Sequence, residues 1–558
     1  MDSDLRKQKF FKGFSFEKAA LLALILFGVG LRLRQYFAFR SLWLDEAMLA
    51  LNIVGRSFVG LLQPLDDNQG APVGFLLAEK LVVTLLGNNE LTLRLIPLLA
   101  GCASLLLYAL VLRQGLGKIG AFTALTLFAA GAPLVYYASE VKQYSSDVFI
   151  ALLLLWLAAE NLRTDKTKNL NHEALRALTT KDTTPLKNAG QASTKENIKS
   201  FSACPRSLGV VVLCELRGKK VFLALAGVLS VWFSHPALFV LAGVGATLLL
   251  HHAVQKEYQR LKETLVMIAI WAASFGALYF VNLRGLAANP FLFDYWSEYF
   301  MPLPPWADLA WFPTTLKNVL QNPVGLDVFW LIPASLMLVG LITLMQRNRW
   351  FGAFLILTLT ATLTVSGLGK YPFAGRMILF TAPIFLALVG AGVDALAGWF
   401  HRPRWLGIFI AVIMGAFLIY QPLLTAAQNF VSPKYAEHIH PSMVYLQANH
   451  KPGDALYVYY WTVPAFRYYA PFYGFSENDF IAGNNYEKNP SGLLAEIDRY
   501  KGQKRFWILF SHIYEKGDYN EKDALLAHLN QIGTQKREFH RPGASVYLYL
   551  YDLTKGGE

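Results

Sequence analysis

About eleven apolar runs, most of them long enough to cross a bilayer, recur along this chain of 558 residues. Such a pattern admits few folds, because a backbone in hydrocarbon must pair its own N–H and C=O groups, and within a single segment only a helix does so. The runs lie near residues 18–36, 92–112, 119–138, 146–162, 220–234, 236–252, 264–283, 325–345, 351–368, 377–399 and 405–424. Charged residues make up 16% of the chain, against about a quarter in soluble proteins. The predicted fold class is a membrane all-α bundle of about eleven transmembrane helices.

Charge sets the orientation. Arg6, Lys7, Lys9, Lys12 and Lys18 stand at or before the first run, which keeps the N-terminus cytoplasmic. The net charge of +13 lies mainly in short loops between apolar runs, as orientation bias requires, and not in a nucleic-acid footprint. The first run is long and lacks a small-residue cleavage site, so it is expected to be a retained anchor. Three cysteines suggest neither a disulfide framework nor a metal cluster. Residues 71–87 are apolar but short and contain Glu79 and Lys80, so they are expected to lie along the outer interface, within a first outer loop at 37–91. Counting them as a crossing would put every basic loop on the wrong side.

The domain division expected is a transmembrane part at 1–424 and an extracytoplasmic α/β domain at 425–558. In the latter, residues 454–461, 505–512 and 544–553 read as strands, and 435–449 and 521–531 as helices. Residues 163–219, rich in Lys, Thr, Asn and Ser, are expected to form a cytoplasmic insertion without regular structure.

Chemistry is suggested first by SLWLDEA at 41–47. Asp45 and Glu46 follow an aromatic, apolar flank just beyond the first run, where a partly dry carboxylate gains proton affinity and can act as a general base. The plainer explanation is a helix N-terminus, where acids complement the dipole. Lys142, Lys370 and Arg376 lie on the outer side against the orientation bias, and an anionic lipid phosphate would supply a reason. Snorkelling toward water is the alternative. Asp294 and Glu298 stand one helical turn apart in an aromatic cluster at 293–306 and can flank an acceptor in a groove. His235 reads as a turn residue, and the adjacent His251 and His252 as poorly spaced for a metal.

The order of these motifs resembles the GT-C superfamily of polyprenyl-phosphate-sugar-dependent glycosyltransferases. The matching stretches are LWLDEA, residues 70–101, YYASEVKQYSSD at 136–147 and YPFAGRMILFTAP at 371–383. The similarity is greatest to the bacterial branch related to protein O-mannosyltransferases, lipid A aminoarabinose transferases and rhizobial galacturonosyltransferases. It covers roughly residues 15–425, with departures at Ala71, where many relatives have proline, and at Lys142, where arginine is common.

The resemblance implies a sugar transferred with inversion from a polyprenyl-phosphate donor, undecaprenyl phosphate in bacteria, at the inner membrane. The acceptor implied is a lipid, glycan or protein outside the cytoplasm. It implies for Asp45 the role of activating the acceptor or holding a divalent metal or the acceptor close to it, with Glu46 its neighbour. For Arg376, then Lys370 and Lys142, it implies contact with the lipid phosphate, and Tyr371 joins the groove candidates. A flippase without chemistry is the alternative, although mid-span charge is scarce and no internal repeat is visible.

Overall fold

The computed structural model describes residues 16–181, 219–326, 329–399, 402–435, 437–486 and 489–554. Each of the predicted apolar runs contains a helix there, the run at 325–345 only from Leu331 onward. Among the described residues, eight helices are long and apolar enough to cross a membrane, and the bent pair Lys118–Ala130 and Ala132–Ser139, which meet at 52°, makes a ninth if it is one span. The helices Lys220–Phe233 and Leu331–Arg347 are apolar but shorter. The protein is built as an integral membrane protein, mostly helical, with a small C-terminal sheet.

Two compact units divide the chain. The first comprises residues 1–29, 100–134 and 143–424, and the second comprises 30–99, 135–142 and 425–558. Residues 30–99 fall in the same unit as residues 425–558, and the chain passes from the first unit to the second at 424/425. A difference concerns residues 163–181, expected to lack regular structure, which continue the helix Tyr144–Lys181. Residues 182–218 of that insertion lie outside the described residues.

In the first unit, helices approach closely where side chains are absent. A Cβ on Gly120 would stand 2.1 Å from the carbonyl oxygen of Gly390, and one on Gly340 would stand 2.0 Å from that of Leu388. Without a hydrophobic force between helices in lipid, such backbone contact is a main source of packing. Asp394 accepts hydrogen bonds from the Gly117 and Gly120 N–H groups at 2.6 and 2.8 Å, so this carboxylate caps the start of the helix Lys118–Ala130.

The second unit is organised by a five-stranded sheet. Its strands are β1 (Ala455–Val458), β2 (Ile481–Ala482), β3 (Phe506–Ser511), β6 (Thr534–His540) and β7 (Val546–Asp552), in the order β2-β1-β3-β7-β6. A separate hairpin, β4 (Glu515–Lys516) and β5 (Tyr519–Asn520), precedes the helix Glu521–Ile532. β1, β2 and β3 are parallel, and β7 pairs antiparallel with β3 and β6.

Alternation along the strands sorts side chains to two faces. Tyr457, Phe506, Ile508, Phe510, Tyr549 and Tyr551 enter one core with Leu525 and Leu529 of the helix Glu521–Ile532. Leu456, Val458, Trp507, Leu509, Leu548 and Leu550 enter the other. That second core is completed by residues 30–99: Leu42, Ala47, Leu49, Ala50 and Ile53, then Phe75, Leu76, Val83 and Leu93. The helices Leu44–Gly55 and Val73–Leu86 are therefore half of a globular core.

Candidate functional site

Asp45 and Glu46 open the helix Leu44–Gly55, where negative charge is favoured by the helix dipole. Adjacent residues on a helix diverge by about 100°, so the two carboxylates face different surroundings. Asp45 is half-buried, whereas Glu46 is 0% exposed.

Glu46 is saturated with donors. Its Oε1 accepts from Arg94 Nε at 2.8 Å and from the Val141 N–H at 2.8 Å. Oε2 accepts from Arg94 Nη2 at 2.7 Å, Arg40 Nη1 at 3.1 Å and the Trp43 N–H at 3.5 Å. Burial would raise the pKa of this carboxylate, but Arg40 and Arg94 outweigh it and hold the group below the usual range. Both guanidiniums also bind backbone: Arg94 donates to the Arg40 and Ser41 carbonyls at 2.7 and 3.1 Å, and Arg40 to that of Ser139. Arg40 lies 4.5 Å from the Tyr136 ring centroid. The cluster locks the segments at 40–46, at 94 and at 136–141 together, and Asp45 rides on it.

Other bonds tether the same loop. Ser41 N–H and Oγ meet His438 Nδ1 at 3.2 and 2.9 Å, and the Leu42 N–H donates to Tyr469 Oη at 2.7 Å. An acceptor role for Nδ1 requires a neutral imidazole, and burial moves the pKa of His438 down to about 4. His440 bridges Glu90 (Nε2, 2.5 Å) and Tyr473 (Nδ1, 2.6 Å). Burial pushes Glu90 up, but the bonds from His440 and Tyr469 bring it down to about 2.

Lys142 belongs to the same unit as Asp45. It is 5% exposed, with Nζ 2.6 Å from Gln69 Oε1, a position inconsistent with snorkelling into water.

The remaining candidates fall in the first unit. Arg376 is half-buried in the turn Gly375–Thr381, with its guanidinium 5.9 Å from the Tyr144 ring centroid. Gly369 and Gly375, at φ +66° and +48°, let the loop between them reverse. Lys370 is exposed, and Tyr371 donates to the Met377 carbonyl at 2.7 Å and packs edge-on against Phe239. Asp294 and Glu298 are exposed, and the helix Pro290–Trp296 gives way to a 3-10 turn at Ser297, so the expected single helical face does not hold them both.

Asp147, passed over in the sequence, is a further candidate. It is 3% exposed in the first turn of the helix Tyr144–Lys181, and its Oδ1 has no hydrogen-bond partner among the described residues. Ser146 Oγ and His235 Nε2 are likewise buried and unpartnered among the described residues. Ser234 and Tyr371 both interact with the Asp147 carboxylate. Unmet acceptors of this kind cost about 1–3 kcal/mol each, which marks the place as one that suits a ligand.

A metal cluster was not expected from His251 and His252, yet the fold adds Glu257. Ligand atoms of these three lie within 4.8 Å of one another, the only such group of three found among the described residues. Arg260 occupies both Glu257 oxygens at 3.2 Å, and His252 Nδ1 contacts one at 2.9 Å, so the carboxylate is already paired.

Some residues of the loop cluster carried a signal. Arg40 and Arg94 lie on the same expected side as Lys142, and the argument applied to that lysine extends to them. Glu90, Glu437 and His440 had none, because their partners lie far along the chain, 350 positions apart for Glu90 and His440 and 75 for Glu437 and His512.

No family model matches the sequence, and no curated protein does. Among solved structures, the chain is similar to ArnT from Cupriavidus metallidurans. In the apo state that match has a TM-score of 0.49 and 12% identity, covering 97% of this chain and 100% of the other. Bound to undecaprenyl phosphate it has 0.49 and 12%, covering 96% and 98%. The apo oligosaccharyltransferase of Archaeoglobus fulgidus is also similar, at 0.48 and 12%, over 97% of this chain and 75% of its own.

Proposed function

We propose that the chain is a membrane glycosyltransferase that moves a sugar from a polyprenyl-phosphate donor to an acceptor outside the cytoplasm, with inversion. The observation that carries this reading is the division of labour at residues 45 and 46. Glu46 is spent on two buried arginines, and Asp45 is held at the start of the same helix with part of its surface open. A carboxylate so positioned can take the proton of an acceptor hydroxyl or amine as that atom attacks C1 of the sugar. The C1–oxygen bond breaks, and the electron pair leaves with the lipid phosphate.

Arg376 is the first candidate to neutralise that phosphate, since a guanidinium can grip it through two parallel hydrogen bonds. Lys370 and Lys142 follow it. Asp294, Glu298 and Tyr371 keep a weaker claim on the acceptor groove. A divalent metal, if one is bound, would lower the charge of the leaving phosphate. Asp394, five residues from the end of the span Gly375–Trp399, is engaged with backbone amides as a helix cap and is not a free mid-span charge of the kind a flippase would use.

The test is transfer of radiolabelled sugar from a polyprenyl-phosphate donor by purified protein, in wild type and in Asp45→Asn. The amide should insert and fold normally and lose about a hundredfold to ten-thousandfold in rate. Near-normal turnover in Asp45→Asn would reject Asp45 as the base, and no transfer by wild type to lipid, glycan or peptide acceptors would reject the enzyme.

A further inference from the structure

The strand order β2-β1-β3 contains a reversal. From β1 the chain passes through the helix Val463–Tyr469 to β2 on one side, then through the helix Pro490–Asp498 to β3 on the other. Where parallel strands diverge in this way, a crevice opens beyond their carboxyl ends, and open α/β sheets bind ligands there. Trp461 follows β1 and His512 follows β3, so both stand at that crevice. The two strand ends are tied by Tyr459 N–H to the Leu509 carbonyl at 3.0 Å and Ser511 N–H to Thr462 Oγ1 at 2.6 Å.

His512 is held in an uncommon state. Its φ is +48°, which non-glycine residues seldom adopt, and such residues gather at functional sites when the surroundings enforce them. The imidazole is held by Glu437, 7% exposed, whose Oε1 lies 2.7 Å from His512 Nδ1. The other oxygen, Oε2, accepts the Leu44 N–H at 3.1 Å. One carboxylate therefore orients the imidazole and anchors the first turn of the helix that bears Asp45. Trp43, next to Leu44, has its ring centroid 6.2 Å from that of His512, and Trp461 has its own at 6.1 Å on a steeper tilt. Trp43 is set by its Nε1–H bond to Glu140 at 2.7 Å. The His512 side chain is 42% exposed and both indoles are half-buried.

We infer that Trp43, Trp461 and His512, with Glu437 behind the imidazole, form a saccharide-binding subsite for the acceptor. Indole faces match the C–H faces of a pyranose, while the imidazole edge can bond its hydroxyls. A small set of placed polar groups in an aromatic wall is the usual composition of such sites. The word acceptor rests on the transferase reading, whereas saccharide binding does not.

The test uses purified full-length protein in detergent, with methyl glycosides of glucose, galactose, mannose and N-acetylglucosamine and with maltotriose as probes. Binding is read by saturation-transfer NMR and tryptophan fluorescence. At least one probe should bind wild type, and Trp461→Ala and His512→Ala should weaken it tenfold or more. His512→Asn, a residue that tolerates the same backbone, should keep the melting temperature and still lose affinity. Trp461→Phe should retain part of it. No binding to wild type, or equal affinity in both alanine variants, overturns the subsite. Donor turnover measured alongside separates the two claims: saccharide binding without turnover rejects the transferase and leaves the subsite standing, and turnover without saccharide binding does the reverse.

Discussion

Glu46 and Asp147 invite comparison. Each is a carboxylate with almost no exposure in the first turn of a helix, and each follows an aromatic residue by three positions. Around Glu46 every oxygen has donors and two guanidiniums balance the charge. At Asp147 one oxygen has no partner among the described residues. Folding can select the first arrangement for its own sake, because the pairing offsets part of the desolvation. The second costs stability as it stands, so its reason must be sought in what binds there.

Removing the charge of Glu46 should be the most damaging to the fold: Glu46→Gln leaves Arg40 and Arg94 buried without a counter-charge, costing about 3–5 kcal/mol. Thermal unfolding of the detergent-solubilised protein should register this as a large drop in midpoint. A midpoint within a degree or two of wild type would show that the cluster is not the anchor of the loop.

Acid should unlock the same loop in a second way. The Glu90 pKa is brought from 4.5 to about 2 on folding, and that of His438 from 6.5 to about 4. In both cases the unfolded chain binds more protons within these windows, so stability falls as pH falls. His438 contributes the loss between pH 6.5 and 4, and Glu90 the loss from 4.5 toward 2, each on the order of 3 kcal/mol if fully expressed. His438→Gln should flatten the upper part of a stability-versus-pH curve. An unchanged slope there would mean that the imidazole is not held neutral.

Asp147→Asn should behave oppositely to Glu46→Gln. Removing an uncompensated charge should leave the melting temperature equal or higher, while turnover falls by about tenfold or more. A destabilised protein would place Asp147 in the class of Glu46, and full activity would remove it from the site. The smallest step separates two substitutions at one position: Arg376→Lys should keep part of the activity and Arg376→Ala almost none, with turnover falling more than donor affinity. If alanine changes neither, Lys370 is the next residue to replace.

Much of the architecture was legible because its cause is local. Apolar runs become helices wherever they sit in hydrocarbon, and alternation in 454–461, 505–512 and 544–553 yields β1, β3 and β7. β6 was missed because TQKREFH is polar and only partly buried at the sheet edge, with a register irregularity between Gln535 and Arg537. The adjacency of Asp45 and Glu46 was visible, but their separate roles were not.

The sequence by itself thus determined the membrane class, the helices and the stretch that carries Asp45, since run length and charge bias act within a few residues of where they are read. Tertiary structure alone decided that residues 30–99 share a core with 425–558, that Arg94 reaches Glu46 across 48 positions, and that Glu437 joins His512 to the helix of Asp45. These contacts leave no period in the chain. They exist because a sheet face must be covered and a buried charge must be met, and the residues that do both come from whichever segment the fold brings near.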